Sequence, residues 1–332
     1  MNVECADGQH GYVYQTPNCV EKKIRCIEVI MTDERNFRTY YYKKFGIGGV
    51  EEKKSIEILL NEHPLNVDKL RQFCLMFPVP AKYRTYLWKV ILGIIPCNQG
   101  SQDFVMDQRR QQYNDLVHAL RLMRRVDNST STGILVLKMY KLETGMLTFE
   151  DQDLIDPDDT ALVTIADALD NIEEDDIIVY WIAKKFYEYF QKWKDPIMQL
   201  PERAINILKK EDPKIWQHLI QHDLFSGLPM NSWFLSGFAN VLPNTSMERI
   251  WDKVVGGSFA VLVHVAVAIF LTFKRPLLSM NKREAMLKYL SKLPEDSGDV
   301  VVVKALDLWQ QHGGHQMVAR SDSPLFSDRS PS

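Results

Sequence analysis

Residues 233–271 read WFLSGFANVLPNTSMERIWDKVVGGSFAVLVHVAVAIFL, from Trp233 to Leu271, and this stretch decides the fold class. After Pro243, Thr245 and Glu248 have the spacing of a capping box that opens a helix. That helix carries Ile250, Trp251 and Asp252, and Gly256 with Gly257 stops it. Next comes FAVLVHVAVAIFLTF, residues 259–273, broken only by His264. A membrane span needs about 20 apolar residues. This shorter run reads as a helix buried on every face, over 258–274.

Outward from there the helical period holds almost throughout. VEEKKSIEILL opens at Val50, and NVDKLRQFCLMF follows before Pro78 and Pro80 break the chain. AKYRTYLWKVILGI comes next, then a long helix over about 104–126. Twelve acidic residues and no Lys or Arg fall between Glu150 and Asp176, yet Leu162, Ile165, Ala166 and Leu169 keep helical spacing. That pattern is a helix with an acidic face, over 158–176. Further helices are expected over 201–209, 214–225, 230–241, 246–255, 281–292 and 299–312. Alternating strand patterns are scarce, so the chain reads as all-α.

The amino-terminal side begins differently. Residues 1–30 show no period and read as a disordered or alternative-start extension. At Met31, Thr32 can cap a helix with Asp33 and Glu34 in its first turn and Lys43 and Lys44 in its last. Residues 31–60 are therefore N-terminal helices. The Ser-, Pro- and Gly-rich residues 313–332 read as a disordered tail.

Composition bounds the function. The chain has 332 residues, net charge −3, 45% hydrophobic and 25% charged residues, which excludes wholesale disorder and a general nucleic-acid footprint. Five cysteines form no C-x-x-C pair and suit a reduced compartment. Eight histidines include no H-E-x-x-H. Neither a metal site nor a cofactor is expected, and no segment reads as transmembrane or as a signal peptide.

Two motifs are more specific than periodicity. Arg84 and Trp88 form an R-x-x-x-W pair one helical turn apart. Trp233, Phe238, Pro243, Trp251 and Asp252 form the series Trp-Phe…Phe…Leu-Pro…Arg-x-Trp-Asp…Gly. This series resembles the C-terminal half of TBC (Tre-2/Bub2/Cdc16) domains, and the R-x-x-x-W resembles their first motif. The similarity covers roughly residues 60–275, with 276–312 as C-terminal helices packed on that domain. It implies a two-lobed, multi-helix Rab-GAP-type fold.

Active members of that family use an arginine finger from I-x-x-D-x-x-R and a water-orienting glutamine from Y-x-Q-G. Positive charge must meet the charge developing on the transferred phosphoryl group, and water must be placed. By resemblance, Met139 replaces the motif's Asp and Leu142 its Arg. No Y-x-Q-G occurs in the chain, and the corresponding region reads Asp156-Pro-Asp-Asp-Thr160. No catalytic residue is therefore expected. Lys138 and Lys141 are near, but lysine lacks the guanidinium fork.

From Met31 to about His312 the chain is similar to one branch of the family that serves as a subunit of the tuberous sclerosis complex. The resemblance implies a non-catalytic, cytoplasmic scaffold that binds the coiled coil of hamartin and meets tuberin indirectly. Tuberin acts on the GTPase Rheb and restrains TOR signalling, and the complex would bring the chain to lysosomal or vesicle membranes. An active Rab GAP with an unusual finger is the alternative, and a non-catalytic binder of small GTPases a third.

For a docking surface, the helix near 104–126 is the candidate. Tyr113, Val117, Leu120 and Met123 share a stripe, flanked by Arg109, Arg110, Arg121, Arg124 and Arg125. An amphipathic partner helix could lie there with its acidic residues on the arginines. The competing reading is that the stripe faces the protein's own core. Arg84, Trp88, Trp233, Trp251 and Asp252 read as fold-holding residues, with Asp252 accepting hydrogen bonds from its surroundings. His264 reads as a hydrogen-bonded core histidine.

Overall fold

The computed structural model describes residues 50–148, 157–291 and 293–313, nearly all within one compact unit, Ser55–Ser332. Regular structure among these residues is seventeen α-helices and two short 3-10 turns, with no strand. The expected helix at Met31 and the tail beyond Gly313 lie outside the described residues.

The helices are α1 (Val50–Leu60), α2 (Val67–Met76), α3 (Ala81–Ile91), α4 (Gln102–Leu122), α5 (Thr132–Glu143), α6 (Pro157–Asp170) and α7 (Asp176–Lys192). After them come α8 (Lys194–Ile197), α9 (Leu200–Glu211), α10 (Pro213–Gln221), α11 (Leu224–Gly227) and α12 (Met230–Leu235). The last five are α13 (Asn244–Val255), α14 (Ala260–Thr272), α15 (Lys274–Ser279), α16 (Arg283–Ser291) and α17 (Gly298–Gln311).

Helix α14 is the axis of the C-terminal part. Every residue from Val261 to Phe270 is buried, His264 included. Helices α9 and α17 cover it, and α13 packs on α17, α2 and α3. On the other side α5 packs on α6, α6 on α7, and α4 lies across α5 and α7.

Several expected boundaries move, for local reasons. The helix of 230–241 ends at Leu235, because Gly237, Phe238 and Asn240 turn the chain with φ of +60°, +63° and +59°. A Cβ on Gly237 would stand 3.0 Å from both Phe190 and Trp251, so the side chain must be absent there. The long helix stops at Leu122 rather than Val126, where Arg124 adopts φ +55°. The acidic helix stops at Asp170. Asp175 caps the next helix instead, accepting from the Ile177 N–H at 2.9 Å. The expected capping box is not the device that starts α13. Its N-cap is Pro243, and Glu248 is turned toward Arg84. The Thr245 side chain lies outside the described ones.

Candidate functional site

The two sequence motifs meet at Asp252. Helix α3 starts after Pro80 and sets Arg84 and Trp88 one turn apart, both facing α13. Arg84 donates from Nε to Asp252 Oδ1 at 3.1 Å and from Nη2 to Oδ2 at 3.2 Å. The Trp88 indole N–H donates to Oδ1 at 3.0 Å. Arg84 also reaches Glu248 (2.8 Å) and the Val79 carbonyl (2.9 Å). Arginine and tryptophan therefore share a carboxylate instead of stacking on each other. One residue on, Lys253 is buried and donates to the Cys74 and Phe77 carbonyls at 2.6 and 2.7 Å.

Burial dominates the electrostatics of this cluster. It pushes the Asp252 carboxyl up, to about 6, against the pull of Arg84, Lys253 and the Trp88 N–H. It pushes Lys253 down to about 8 and raises the Cys74 thiol well above its usual range. Asp252 is 1% exposed and saturated by donors, so no substrate atom can reach it. The arrangement binds α3 to α13 and offers no chemistry.

The other signature residues pack around it. Trp251 donates to the Gly237 carbonyl at 2.9 Å and lies 4.7 Å from the Phe186 ring. Trp233 and Phe238 are both buried, with ring centroids 5.9 Å apart. Pro243 meets the start of α17, where a Cβ on Gly298 would stand 2.6 Å from its Cγ. His264 is buried as expected. Its Nδ1 lies 3.0 Å from the Ala260 carbonyl, its Nε2 has no hydrogen-bond partner among the described residues, and burial lowers it to about 4.

Met139 and Leu142, the residues that the resemblance set against the finger motif, lie on α5. Met139 is fully buried and Leu142 half-buried. Lys138 donates to the Arg125 carbonyl at 2.8 Å, and Lys141 pairs with Asp159 of α6 at 2.7 Å. Both lysines are thus engaged within the fold. Leu142, Met123, Arg124, Leu147 and Thr148 line an open recess of about 620 Å³. A second, acidic recess of about 630 Å³ is lined by Tyr113 and residues Glu173 to Ile177. There burial and Asp176 push the Tyr113 hydroxyl up to about 12.

The proposed docking stripe on α4 is corrected in part. Leu120 is completely buried, so it belongs to the protein's own core and is closed to a partner. Tyr113 packs edge-on to Tyr180 at 5.9 Å, and Val117 is half-buried against the core. Met123 is 44% exposed, and Arg121 and Arg124 are exposed. Arg109 is not a solvated flank, because its guanidinium lies 4.1 Å from the Trp181 ring. Two residues that the periodicity missed are more open than the stripe: Phe104 at 69% and Leu122 at 71%. Their only sequence signal is that each falls off the Tyr113–Leu120 face. Leu120 is the single buried residue in the 21 of α4.

Comparison with known proteins follows the same lines. The Rab-GTPase-TBC domain family profile matches residues 161–278. TBC1 domain family member 7 of Homo sapiens is 43% identical over 282 residues, which are 85% of this chain and 96% of that protein. The Danio rerio protein of the same name is 40% identical over 86% of this chain and 97% of its own length. Among solved structures, the Ypt/Rab-GAP domain of Gyp1p aligns with TM-score 0.54 and 15% identity, over 80% of this chain and 99% of that one. At that identity it bears on the fold alone. The chain belongs to the Rab-GTPase-TBC domain family.

Proposed function

We propose that this chain is a non-catalytic TBC-domain scaffold that binds the coiled coil of hamartin and so supports tuberin's GTPase-activating action on Rheb. Its output is restraint of TOR signalling, and it reaches lysosomal or vesicle membranes through the complex. On this reading residues 60–275 are the TBC domain, with 276–312 as helices packed on it. The observation that carries the proposal is α5. Where active relatives place a motif carboxylate and an arginine finger, this chain has a buried Met139 and a half-buried Leu142. Neither can offset charge on a phosphoryl group.

Helix α4 is the docking element that fits. It is long and peripheral, with Phe104, Leu122 and Met123 exposed and Arg121 and Arg124 beside the last two. An amphipathic helix with acidic flanks complements such a surface. One experiment tests both parts. The full chain is assayed for capture of the hamartin coiled coil and for single-turnover GTP hydrolysis across a Rab panel. Capture without acceleration is expected. Acceleration of any Rab would instead favour an active GAP with an unusual finger.

A further inference from the structure

The chain is slightly acidic overall, yet four neighbouring helices carry an excess of basic residues. Helices α10 and α11 lie beside α15 and α16. Nε2 of His218 lies 3.0 Å from the Leu277 carbonyl and 3.1 Å from that of Met280. Lys274 pairs with Asp212, and Arg283 reaches Asp223 at 3.2 Å. These contacts join the four helices into one surface.

Residues 213–227 and 274–291 hold six basic side chains, Lys214, Lys274, Arg275, Lys282, Arg283 and Lys288, against two acidic ones, Asp223 and Glu284. Two of the six, Lys274 and Arg283, are taken up by the pairs just described. The other four are exposed and make no ion pair among the described residues. In the same segments Ile220 is 47% exposed and Met280 half-buried.

We propose that this face rests on an anionic lipid bilayer. Three of the four unpaired cations are lysines, which act as compact point charges without the fork that matches one carboxylate or phosphate. They suit a diffuse field of negative charge better than a shaped acidic peptide. Their stems can lie along the interface with the ammonium in the headgroups, and Ile220 can enter the acyl boundary. Nucleic acid is the poorer fit because stacking needs a free aromatic plate. Trp216 is covered by Lys209 at 4.7 Å, Phe225 packs on Phe270 and Tyr289 on Phe273. This face is independent of the hamartin reading and would act in the chain alone.

The test is co-sedimentation of the full chain with phosphatidylcholine vesicles, with and without phosphatidylserine. Binding is expected only with phosphatidylserine and should weaken as salt rises. Each basic residue near such a surface is worth roughly fivefold in affinity. The quadruple variant Lys214→Glu, Arg275→Glu, Lys282→Glu, Lys288→Glu should therefore bind at least roughly six-hundredfold weaker. The same four changed to Gln should fall between it and the unaltered chain. Arg110→Glu with Arg121→Glu on α4 should leave sedimentation unchanged. Equal binding by the quadruple-Glu variant overturns the proposal. So does failure to sediment with phosphatidylserine while polyglutamate is bound, which would make the face a site for acidic protein.

Discussion

Arg84 and Asp252 stand 168 residues apart in the chain and meet through three hydrogen bonds, one at 3.1 and two at 3.2 Å, inside a buried cluster. The pair ties α3 to α13. Asp252→Ala leaves a buried guanidinium and an indole N–H without their acceptor. Loss of one partner of such a pair costs about 3–5 kcal/mol. Urea unfolding should show that loss. The double variant Arg84→Met, Asp252→Leu should recover only part of it, because the buried guanidinium goes with its carboxylate while the Trp88 N–H and Glu248 still lose their partners.

His264 gives the stability a pH dependence of known sign. Its folded value, about 4, is below the ordinary 6.5, so the unfolded chain binds more protons between those values. The contribution is present above pH 6.5 and lost as pH falls to 4. Asp252 acts oppositely: its value is raised to about 6, so its protonation favours the folded state over part of the same range. His264→Asn isolates the first effect. Between pH 7 and pH 4 the unaltered chain should lose ~2–3 kcal/mol more than this variant. An equal loss in both would remove His264 as the cause.

Introducing Asp and Arg at the two α5 positions, as the proposed reading aligns them with the finger motif, should fail for a packing reason. Met139→Asp places a carboxylate at a site with no exposure, at a cost of roughly 3 kcal/mol or more. Leu142→Arg sits at the half-buried edge and should cost little. Thermal melting should separate the two, and neither variant should accelerate GTP hydrolysis by a Rab.

On α4, position within the turn decides the outcome. Leu120→Glu should unfold the protein, since Leu120 has no exposure. Leu122→Glu and Met123→Glu should leave the melting temperature within a few degrees and weaken capture of the hamartin coiled coil. Unchanged capture by both would move the docking face elsewhere.

Gly133 starts α5 against α6. Its N–H donates to Asp167 at 2.8 Å, and a Cβ there would stand 2.5 Å from that oxygen and 2.8 Å from Val163. Gly133→Ala should cost about 2 kcal/mol by overpacking, read as a lower urea midpoint with unchanged slope.

Helix type was legible because apolar spacing is a local property. Residues 259–273 and the run around Leu162 to Leu169 declared themselves without any partner. Boundaries were less legible, because they depend on contacts far away. The turn at Gly237 exists because Trp251 and Phe190 occupy the space, and nothing near residue 237 reveals that. Glu248 looked like a capping residue and is instead held by Arg84, 164 residues earlier. The Asp252 cluster was half legible. The motif residues stood out, but their shared carboxylate is a tertiary fact. Leu120 drops out of the α4 stripe for a related reason: a helical period gives a face, not the depth at which each residue sits. Leu120 and Met123 share that face and differ from complete burial to 44% exposure.

Helix α14 lies within the matched span, 161–278, and its cover, α17, lies beyond it. Ten successive buried residues, Val261 to Phe270, are therefore made before Val301, Val302, Ala305 and Trp309 exist to shield them. During synthesis the ribosome must release residues 298–311 before this core can close. Until then the apolar face of α14 that α17 covers stays open. A stop codon anywhere upstream of Gly298 should yield not a shorter working domain but a polypeptide handed to the degradation machinery.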